Sequence, residues 1–322
     1  MRFLRLLACA AFLAPAVAFA GSYPDKPIRL VVPFPPGGSG DAIARPIAAK
    51  LGEVLGQPVV VDNRGGANGI VASSYVAKAA PDGYTLELGY NAGPQGSVLF
   101  FFADVPYDPV KDFTAIAAAV EVPIGVVVHP SIPVNSMQEL IDYAKKRPGD
   151  LAYGSPGIGS AQQIAVETLT QATGAKLQHV PYKGSGPVIA DLLGGQIPMA
   201  LITMPGVLPY VESGRMKVLA VIEPRRYHGL PNIPTVAETV PGFTVPATWA
   251  GIFGPAGMPP EIVNRLNTEI NKVLKDKDVR EKLEAAGLTV LGDTTPSQFA
   301  EMVKRDIDVY RSITTKAGIV PE

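Results

Sequence analysis

A strand, a glycine loop and a helix follow one another in residues 28–51, and this order constrains the fold more than any other feature. Residues 28–32 are mostly aliphatic, which is typical of a strand buried in a parallel sheet. The loop at 34–40 holds two prolines and three glycines, which stiffen the turn and leave backbone N–H groups accessible. Apolar residues then recur at helical spacing, at Ile43, Ile47, Leu51 and Leu55. The segment therefore predicts an α/β fold, with Ser39 or Asp41 capping the helix.

The glycine loop also predicts an anion site. A loop that leads from a strand into a helix presents free N–H groups and the positive end of a helix dipole. Gly38 and Gly40 begin a G-x-G-x-x-I pattern that lacks the third glycine of the dinucleotide fingerprint, and the chain contains no G-K-[ST] phosphate loop. Nucleotide binding is therefore disfavoured. An ordinary turn between a strand and a helix stays open as the alternative interpretation.

A similar unit occurs further along the chain. After a βαβαβ pattern in residues 28–88, two apolar runs at 113–128 indicate a strand that crosses from one lobe to another. A short strand at 151–155 then leads through a Pro/Gly loop to a helix that Ser160 and Gln163 are expected to cap. Two such loops, one in each lobe, predict a clam-shell receptor for a small anion. Two unrelated turns are the alternative.

Residues 1–20 have the pattern of a cleavable signal peptide. A start with two arginines precedes a short apolar core, and Ala18-Phe19-Ala20 matches the small-x-small cleavage rule. The mature protein is expected to begin at Gly21, without a lipid anchor. Cys9, the only cysteine, leaves with this segment, so no disulfide is expected. Loss of the two arginines leaves 26 basic and 29 acidic residues, a formal charge of −3 that argues against nucleic acid as a partner.

No motif points to catalysis. The three histidines lie far apart, without the close spacing of a zinc motif, so no metal site is expected. The segments around Ser39 and Ser155 each miss one glycine of the G-x-S-x-G elbow of serine hydrolases. No catalytic residue, metal or cofactor is therefore predicted, and the chain is not expected to be an enzyme. A carboxylate pair drawn from Asp41, Asp62 and Asp191 stays open, although nothing points to it.

Seven blocks of sequence run in order over nearly the whole mature chain. They are PFPPGGSGDAIARPIA, VDNRGGANGIVASSYVAKAAPDGYTL, VPYDPVKDFTAIA, YGSPGIGS, VPYKGSGPVIADLLGGQI, LPNIPTVAETVPGF and WAGIFGPAGMPPEIVNRLN. These blocks resemble the Bug family, the periplasmic solute receptors of tripartite tricarboxylate transporters. The resemblance implies a two-lobed α/β periplasmic-binding-protein (Venus flytrap) fold with a cleft between the lobes. It also implies that the protein captures a small carboxylate in the periplasm and delivers it to the integral membrane subunits of a transporter.

The resemblance also leads to domain bounds and ligand-binding residues. We expect 21–121 with 247–322 to form lobe 1 and 122–246 to form lobe 2. In receptors of this kind backbone amides, hydroxyls and ordered water hold one carboxylate. Matched position by position, the ligand-binding residues are Phe34, Gly37, Gly38, Ser39, Asp41, Asn91, Ser155, Gly157, Ser160, Ala161, Tyr182 and Lys183.

The chain departs from the family pattern at Ile202-Thr203, where the resemblance leads us to expect Asp-Asn. Loss of an acidic group there removes a partner for an amino group, so we expect a less polar carboxylate than an amino acid. Two other functions stay open. One is a ligand sensor for a membrane signalling partner, and the other is a secreted enzyme that acts on a carboxylate.

Overall fold

This computed structural model describes residues 23–321. They form two β-sheets, each covered by helices. The predicted signal peptide, 1–20, and the predicted start of the mature protein at Gly21 lie outside the described residues. No helix within 23–321 is both long enough and apolar enough to cross a membrane.

Strands and helices are numbered along the chain. The strands are β1 (Ile28–Val32), β2 (Val59–Asn63), β3 (Thr85–Tyr90), β4 (Phe113–Glu121), β5 (Ile124–Val128), β6 (Ala152–Ser155), β7 (Gln178–Pro181), β8 (Met199–Thr203), β9 (Lys217–Val221), β10 (Trp249–Pro255) and β11 (Thr289–Val290). The helices are α1 (Ser39–Leu55), α2 (Ile70–Ala77), α3 (Met137–Lys145), α4 (Ala161–Thr173), α5 (Ser185–Leu193), α6 (Leu208–Glu212), α7 (Val236–Thr239), α8 (Pro260–Lys275), α9 (Lys277–Ala285) and α10 (Pro296–Ala317). Short 3₁₀ turns occupy Ala67–Gly69, Ser97–Phe100 and Met204–Gly206.

The first sheet has six strands in the order β11-β4-β10-β3-β1-β2. Strand β1 pairs in parallel with β2 and β3, as the βαβαβ pattern predicts. Strand β10 lies between β3 and β4 and runs antiparallel to both, so the sheet is mixed rather than wholly parallel. Strand β10 is the segment by which the chain returns from the second sheet. It enters the first sheet from the opposite direction and therefore runs antiparallel to its neighbours.

The second sheet has five strands in the order β7-β6-β8-β5-β9. Strand β6 runs parallel to β7 and β8, whereas β5 runs antiparallel to β8 and β9. Because the carboxyl ends of parallel strands meet at one edge of a sheet, the loops after β6 and β7 lie side by side. These two loops lead into α4 and α5.

Val122 and Pro123 connect β4 of the first sheet to β5 of the second, which confirms the crossing strand predicted at 113–128. The Val122 N–H donates to the Thr248 carbonyl (2.8 Å), and the Met204 N–H donates to the Pro123 carbonyl (2.7 Å). Backbone hydrogen bonds therefore hold this crossover on both sides. The bounds of the lobes as folding units stay a prediction.

The predicted apolar face of α1 packs on the first sheet. Its residues Ile43, Ile47, Leu51 and Leu55 are all buried in one core with β1, β3 and helices α8 and α9. An apolar core on the opposite face of this sheet contains Trp249 and Phe253 of β10 and Phe299 of α10. Burial on both faces explains the aliphatic character of these strands.

Helix α10 contributes to the cores of both sheets. Phe299 and Val303, near its start, pack against the first sheet, whereas Tyr310 and Ile313 pack in the main core of the second. Phe101, which follows β3 of the first sheet, is buried in the same second core. These contacts join the two halves independently of the crossover strands.

Candidate functional site

Asp41 holds the loop between β1 and α1 in shape. Its carboxylate accepts hydrogen bonds from the Gly37 N–H (2.9 Å), the Asn63 amide (2.9 Å) and the Arg45 guanidinium (2.9 and 3.0 Å). Burial opposes ionisation, but these hydrogen bonds outweigh it and hold the pKa of Asp41 below its usual value. Arg45 thus balances the negative charge of Asp41, and the carboxylate is used in hydrogen bonds that hold the loop.

Helix α1 begins with free N–H groups. Gly38 is the N-cap and no side chain caps the helix, so the prediction that Ser39 or Asp41 would cap it is wrong. Among the described residues, no acceptor bonds to the N–H groups of Gly38, Ser39 or Gly40. The dipoles of a helix of 17 residues concentrate positive partial charge at this turn. An anion is therefore the group that the turn can bind.

Asn91, the predicted site residue after β3, is buried and fully hydrogen-bonded within the protein. Its amide donates to the Ala247 carbonyl (2.8 Å) and to the Asp306 carboxylate (2.9 Å), and its oxygen accepts from the Trp249 N–H (3.0 Å). These bonds tie the end of β3 to the chain that returns from the second sheet and to α10. A ligand contact by Asn91 stays a prediction.

A buried polar cluster under the loop at 91–97 was missed by the sequence analysis. The Glu87 carboxyl of β3 bonds to the Ser73 hydroxyl (2.5 Å) and the Gln95 amide (3.1 Å), and the Gln95 oxygen accepts from the Tyr90 N–H (3.0 Å). Burial raises the pKa of Glu87 to about 8, although the bonds from Ser73 and Gln95 oppose the shift. The cluster fixes the loop that follows β3. In the sequence, this cluster could have been suspected from the glutamate inside the otherwise mostly apolar run TLELGY.

The loop before α4 has the predicted cap. The Ser160 hydroxyl accepts from the Gln163 N–H (3.4 Å), which confirms Ser160 as the N-cap. The Gln163 side chain accepts from the Gly159 N–H (2.9 Å), one residue earlier than a capping box requires. Among the described residues, the N–H groups of Ala161 and Gln162 have no acceptor. Helix α4 therefore presents a second free helix start.

Ser155 pairs with a histidine, but not as an accessible nucleophile. Its hydroxyl lies 2.6 Å from His179 Nε2 and also bonds to the backbone of Gly157 (3.1 and 3.2 Å). The His179 ring stacks on Tyr153, and burial lowers the pKa of His179 to about 4, so the imidazole is neutral at neutral pH. Ser155 is completely buried, so the pair stabilises the loop rather than offering Oγ to a substrate.

The loop between β7 and α5 lies beside Ser155. The Tyr182 N–H donates to the Ser155 carbonyl (3.0 Å), and the Tyr182 hydroxyl donates to the Asp191 carboxylate (2.7 Å). Burial, and then Asp191, raise the pKa of Tyr182 to about 12. Lys183 is exposed. Tyr182 therefore lies in the loop before α5, and its hydroxyl is hydrogen-bonded to a residue of that helix.

The loop before α4 contacts the first half of the molecule at three residues. The Ser97 hydroxyl donates to the Gly159 carbonyl (2.5 Å), and the Asn68 amide reaches the Ile158 carbonyl (3.5 Å). Phe101 packs against Gly159, where a Cβ would lie 3.3 Å from the Phe101 side chain. The φ of Gly159, +76°, also favours glycine. This loop therefore touches the first half through Asn68, Ser97 and Phe101.

The predicted site residues lie in four loops that follow strands. They follow β1 (Phe34, Gly37, Gly38, Ser39 and Asp41), β3 (Asn91), β6 (Ser155, Gly157, Ser160 and Ala161) and β7 (Tyr182 and Lys183). Hydrogen bonds join Gly37 to Asp41 and Ser155 to Gly157 and Tyr182. Ser97 and Asn68, which the prediction omitted, instead make the hydrogen bonds from the first half to the loop before α4. No motif marked those two residues, because their role comes from the approach of a distant loop.

Comparison with known proteins identifies relatives over almost the whole chain. A family model described as "Tripartite tricarboxylate transporter family receptor" matches residues 43–319. The protein BugT of Bordetella pertussis is 36% identical over 312 residues, which cover 97% of this chain and 95% of BugT.

Two solved structures from Rhodopseudomonas palustris share the fold. Rpa4515 with adipate is 37% identical with a TM-score of 0.87, over 93% of this chain and 100% of that one. MatC (Rpa3494) with bound malate is 31% identical with a TM-score of 0.83, over 91% of this chain and 100% of that one. The two-lobed periplasmic-binding-protein fold and the resemblance to the Bug proteins are thereby confirmed. The chain belongs to the tripartite tricarboxylate transporter receptor family, whose members are solute-binding proteins.

Proposed function

We propose that this chain is a periplasmic receptor that captures a small carboxylate between its lobes and delivers it to the integral membrane subunits of a tripartite tricarboxylate-type transporter. The observation that carries the proposal is the uncapped start of α1, with free N–H groups at Gly38, Ser39 and Gly40. Backbone donors at a helix start lower the cost of taking a carboxylate out of water. Membership of the family supports the transporter as the partner.

The proposed cleft lies between lobe 1, 21–121 with 247–322, and lobe 2, 122–246. The free starts of α1 and α4 supply donors from the two lobes, together with the other residues matched through the family resemblance. Ligand contacts that form only in the closed arrangement drive a hinge motion at the crossover strands. Export through the signal peptide, 1–20, places the receptor in the periplasm.

The proposed ligand is a dicarboxylate. Two free helix starts suit two carboxylates, and the relatives Rpa4515 and MatC are described with adipate and malate. Ile202 is buried in an apolar core of the second lobe, and Thr203 beside it carries no charge. An amino group therefore lacks an acidic partner at these two positions, so adipate and malate are expected to bind better than aspartate and glutamate.

Isothermal titration calorimetry of residues 21–322 tests the proposal with adipate, malate, aspartate and glutamate. We expect saturable binding of adipate or malate at least about tenfold tighter than of either amino acid, because an unpaired ammonium group costs about 1.4 kcal/mol or more. Preferred binding of an amino acid would contradict the ligand class. Absence of binding by any of the four, in protein unfolded and refolded to remove bound ligand, would contradict the receptor proposal.

The recovered ligand distinguishes a receptor from an enzyme. We expect adipate or malate to be chemically unchanged after long incubation with the protein, because Ser155, paired with His179, is buried. Mass spectrometry of the recovered acid checks this. A converted acid would shift the assignment to catalysis.

Replacing Gly38 by valine is expected to weaken binding of adipate or malate about tenfold or more with little change in the fold. Gly38 has extended backbone, and a Cβ there would meet only the Pro35 carbonyl at 3.9 Å. The added side chain would stand over the free N–H groups and keep the carboxylate away from them. The matched control is Gly194→Val, in the exposed turn after α5, which has ordinary φ. Equal affinities of both variants and the wild type would contradict the assignment of the loop.

A further inference from the structure

A buried tyrosine hydroxyl lies under the free start of α1. Tyr90 is the last residue of β3 and only 5% of its surface is exposed. Its hydroxyl has no hydrogen-bond partner among the described residues. A buried hydroxyl without a partner lowers stability, whereas the ring of a phenylalanine would fill the same space without that cost. The hydroxyl therefore has no evident use in the fold.

Neighbouring groups direct this hydroxyl toward the anion loop. The Tyr90 hydroxyl oxygen lies 3.6 Å from the position that a Cβ on Gly40 would occupy, so the phenol ends in contact distance of the first turn of α1. The Phe34 ring packs edge-on against Tyr90, with centroids 5.2 Å apart. Gln95 accepts the Tyr90 N–H at 3.0 Å, which fixes the backbone at the end of the strand. The hydroxyl is thus held beside the turn whose N–H groups are free.

We propose that the Tyr90 hydroxyl is a further ligand-binding group, which donates a hydrogen bond to the carboxylate held at the start of α1. The inference rests on the proposed function above and adds a side-chain donor to the backbone donors. Phe34, whose ring packs edge-on against Tyr90, is only partly buried, and in the proposal a movement of this ring gives a ligand oxygen access to the hydroxyl.

The protonation state of Tyr90 suits this role. Burial, and then the nearby Asp41 carboxylate, raise the pKa of Tyr90 well above its usual value. The phenol therefore keeps its proton over the whole physiological range and acts as a donor. A hydrogen bond from a neutral donor to a carboxylate is stronger than one between two neutral groups.

Substitution Tyr90→Phe separates ligand binding from folding. We expect the Kd of adipate or malate, measured by calorimetry, to rise about tenfold to a hundredfold in this variant. This is the range for loss of one hydrogen bond to a charged group. The midpoint of thermal unfolding without ligand stays the same or rises, because the hydroxyl has no partner to lose. An unchanged Kd, in protein whose wild type binds, overturns the role of Tyr90 and leaves the receptor function standing.

Tyr153→Phe is the matched control. Tyr153 is also buried with a hydroxyl that has no partner among the described residues, but it lies on β6 and stacks on His179. This variant is expected to bind with the wild-type Kd, and an equal loss in both variants overturns the inference. If the wild type binds none of the four acids, the proposed function fails and this inference fails with it. A crystal structure of the wild type with adipate or malate gives a second readout, in which a carboxylate oxygen is expected within about 3 Å of the Tyr90 hydroxyl.

Discussion

Replacing Asp306 by alanine is expected to lower the free energy of unfolding by about 3–5 kcal/mol, the range for removing one partner from a buried charged network. Asp306 is buried, with 2% of its surface exposed. It accepts from the Trp249 indole N–H (2.7 Å), the Asn91 amide (2.9 Å) and the Arg305 guanidinium (3.0 Å). Alanine would leave the buried indole and amide donors without this acceptor. Urea unfolding followed by fluorescence measures the change, since Trp249 is the only tryptophan.

Asp308→Ala is the matched control for this effect. Asp308 lies two residues further along α10 and forms an ion pair with Arg311, but its side chain is 71% exposed. Exposed ion pairs contribute little, so this variant is expected to stay within about 0.5 kcal/mol of the wild type. A similar small change in Asp306→Ala would contradict the view that α10 joins the end of β3 to the return crossover.

Raising the pH from 6.5 to 8 is expected to destabilise the protein, because two buried glutamic acids keep their protons in the folded state. Burial raises the pKa of both Glu87 and Glu223 to about 8, against an ordinary value of 4.5. In this window the unfolded chain has released protons that the folded chain still binds. The free energy of unfolding therefore falls as the pH rises, by up to about 1.4 kcal/mol per pH unit for each group. Above about pH 8 the folded state releases the protons too, and the decline levels off.

The chosen window avoids groups with the opposite effect. Burial lowers the pKa of His179 to about 4, so its contribution to stability grows with pH only up to its ordinary value of 6.5. The hydrogen bonds of Asp41 hold its pKa below the ordinary value of 3.8, so its contribution is lost only in acid. Between pH 6.5 and 8 we therefore expect Glu87 and Glu223 to set most of the slope; burial also raises the pKa of Glu167, which acts in the same direction.

Glu87→Gln tests the origin of this slope. Glutamine keeps an oxygen acceptor for the cluster with Ser73 and Gln95 but cannot ionise, so the slope between pH 6.5 and 8 should fall by about half. The control is Glu238→Gln. Glu238 pairs with Arg226 at the surface, and this bond lowers its pKa to about 2, outside the window. Urea unfolding at several pH values gives the slopes, and equal slopes in Glu87→Gln and the wild type would contradict the assignment.

The buried position of Glu223 also bears on the hinge. Its carboxyl accepts from the N–H of Ile124 (3.0 Å), the first residue of β5 after the crossover. The other oxygen of Glu223 has no partner among the described residues. A change in the protonation of Glu223 would therefore alter the hydrogen bonding at the point where the chain passes from one lobe to the other. The expected slope of stability with pH includes this residue, and the slope that remains in Glu87→Gln gives its share.

Local chemistry allowed several elements to be predicted from the sequence. The strand and helix around the first glycine loop, the crossing strand at 113–128 and the cap of α4 by Ser160 all follow from apolar spacing, turn residues and a hydroxyl at the right position. Each of these depends on neighbours within a few residues. The cap of α1 was predicted wrongly because Asp41 has other partners, Asn63 on β2 and Arg45, which compete for its carboxylate.

The amino-acid sequence was enough to predict the fold class, the two glycine loops that lead into helices and, through the order of the blocks, the family. The tertiary structure alone decided the antiparallel place of β10, the role of α10 in both cores, and the contacts of Ser97 and Asn68 with the loop before α4. It also decided that Asn91 bonds to Asp306 and that Tyr90 lies under Gly40. These features could not be predicted because they join residues far apart in the chain. No spacing or propensity in a single segment specifies which distant donor, acceptor or ring will fill a given position.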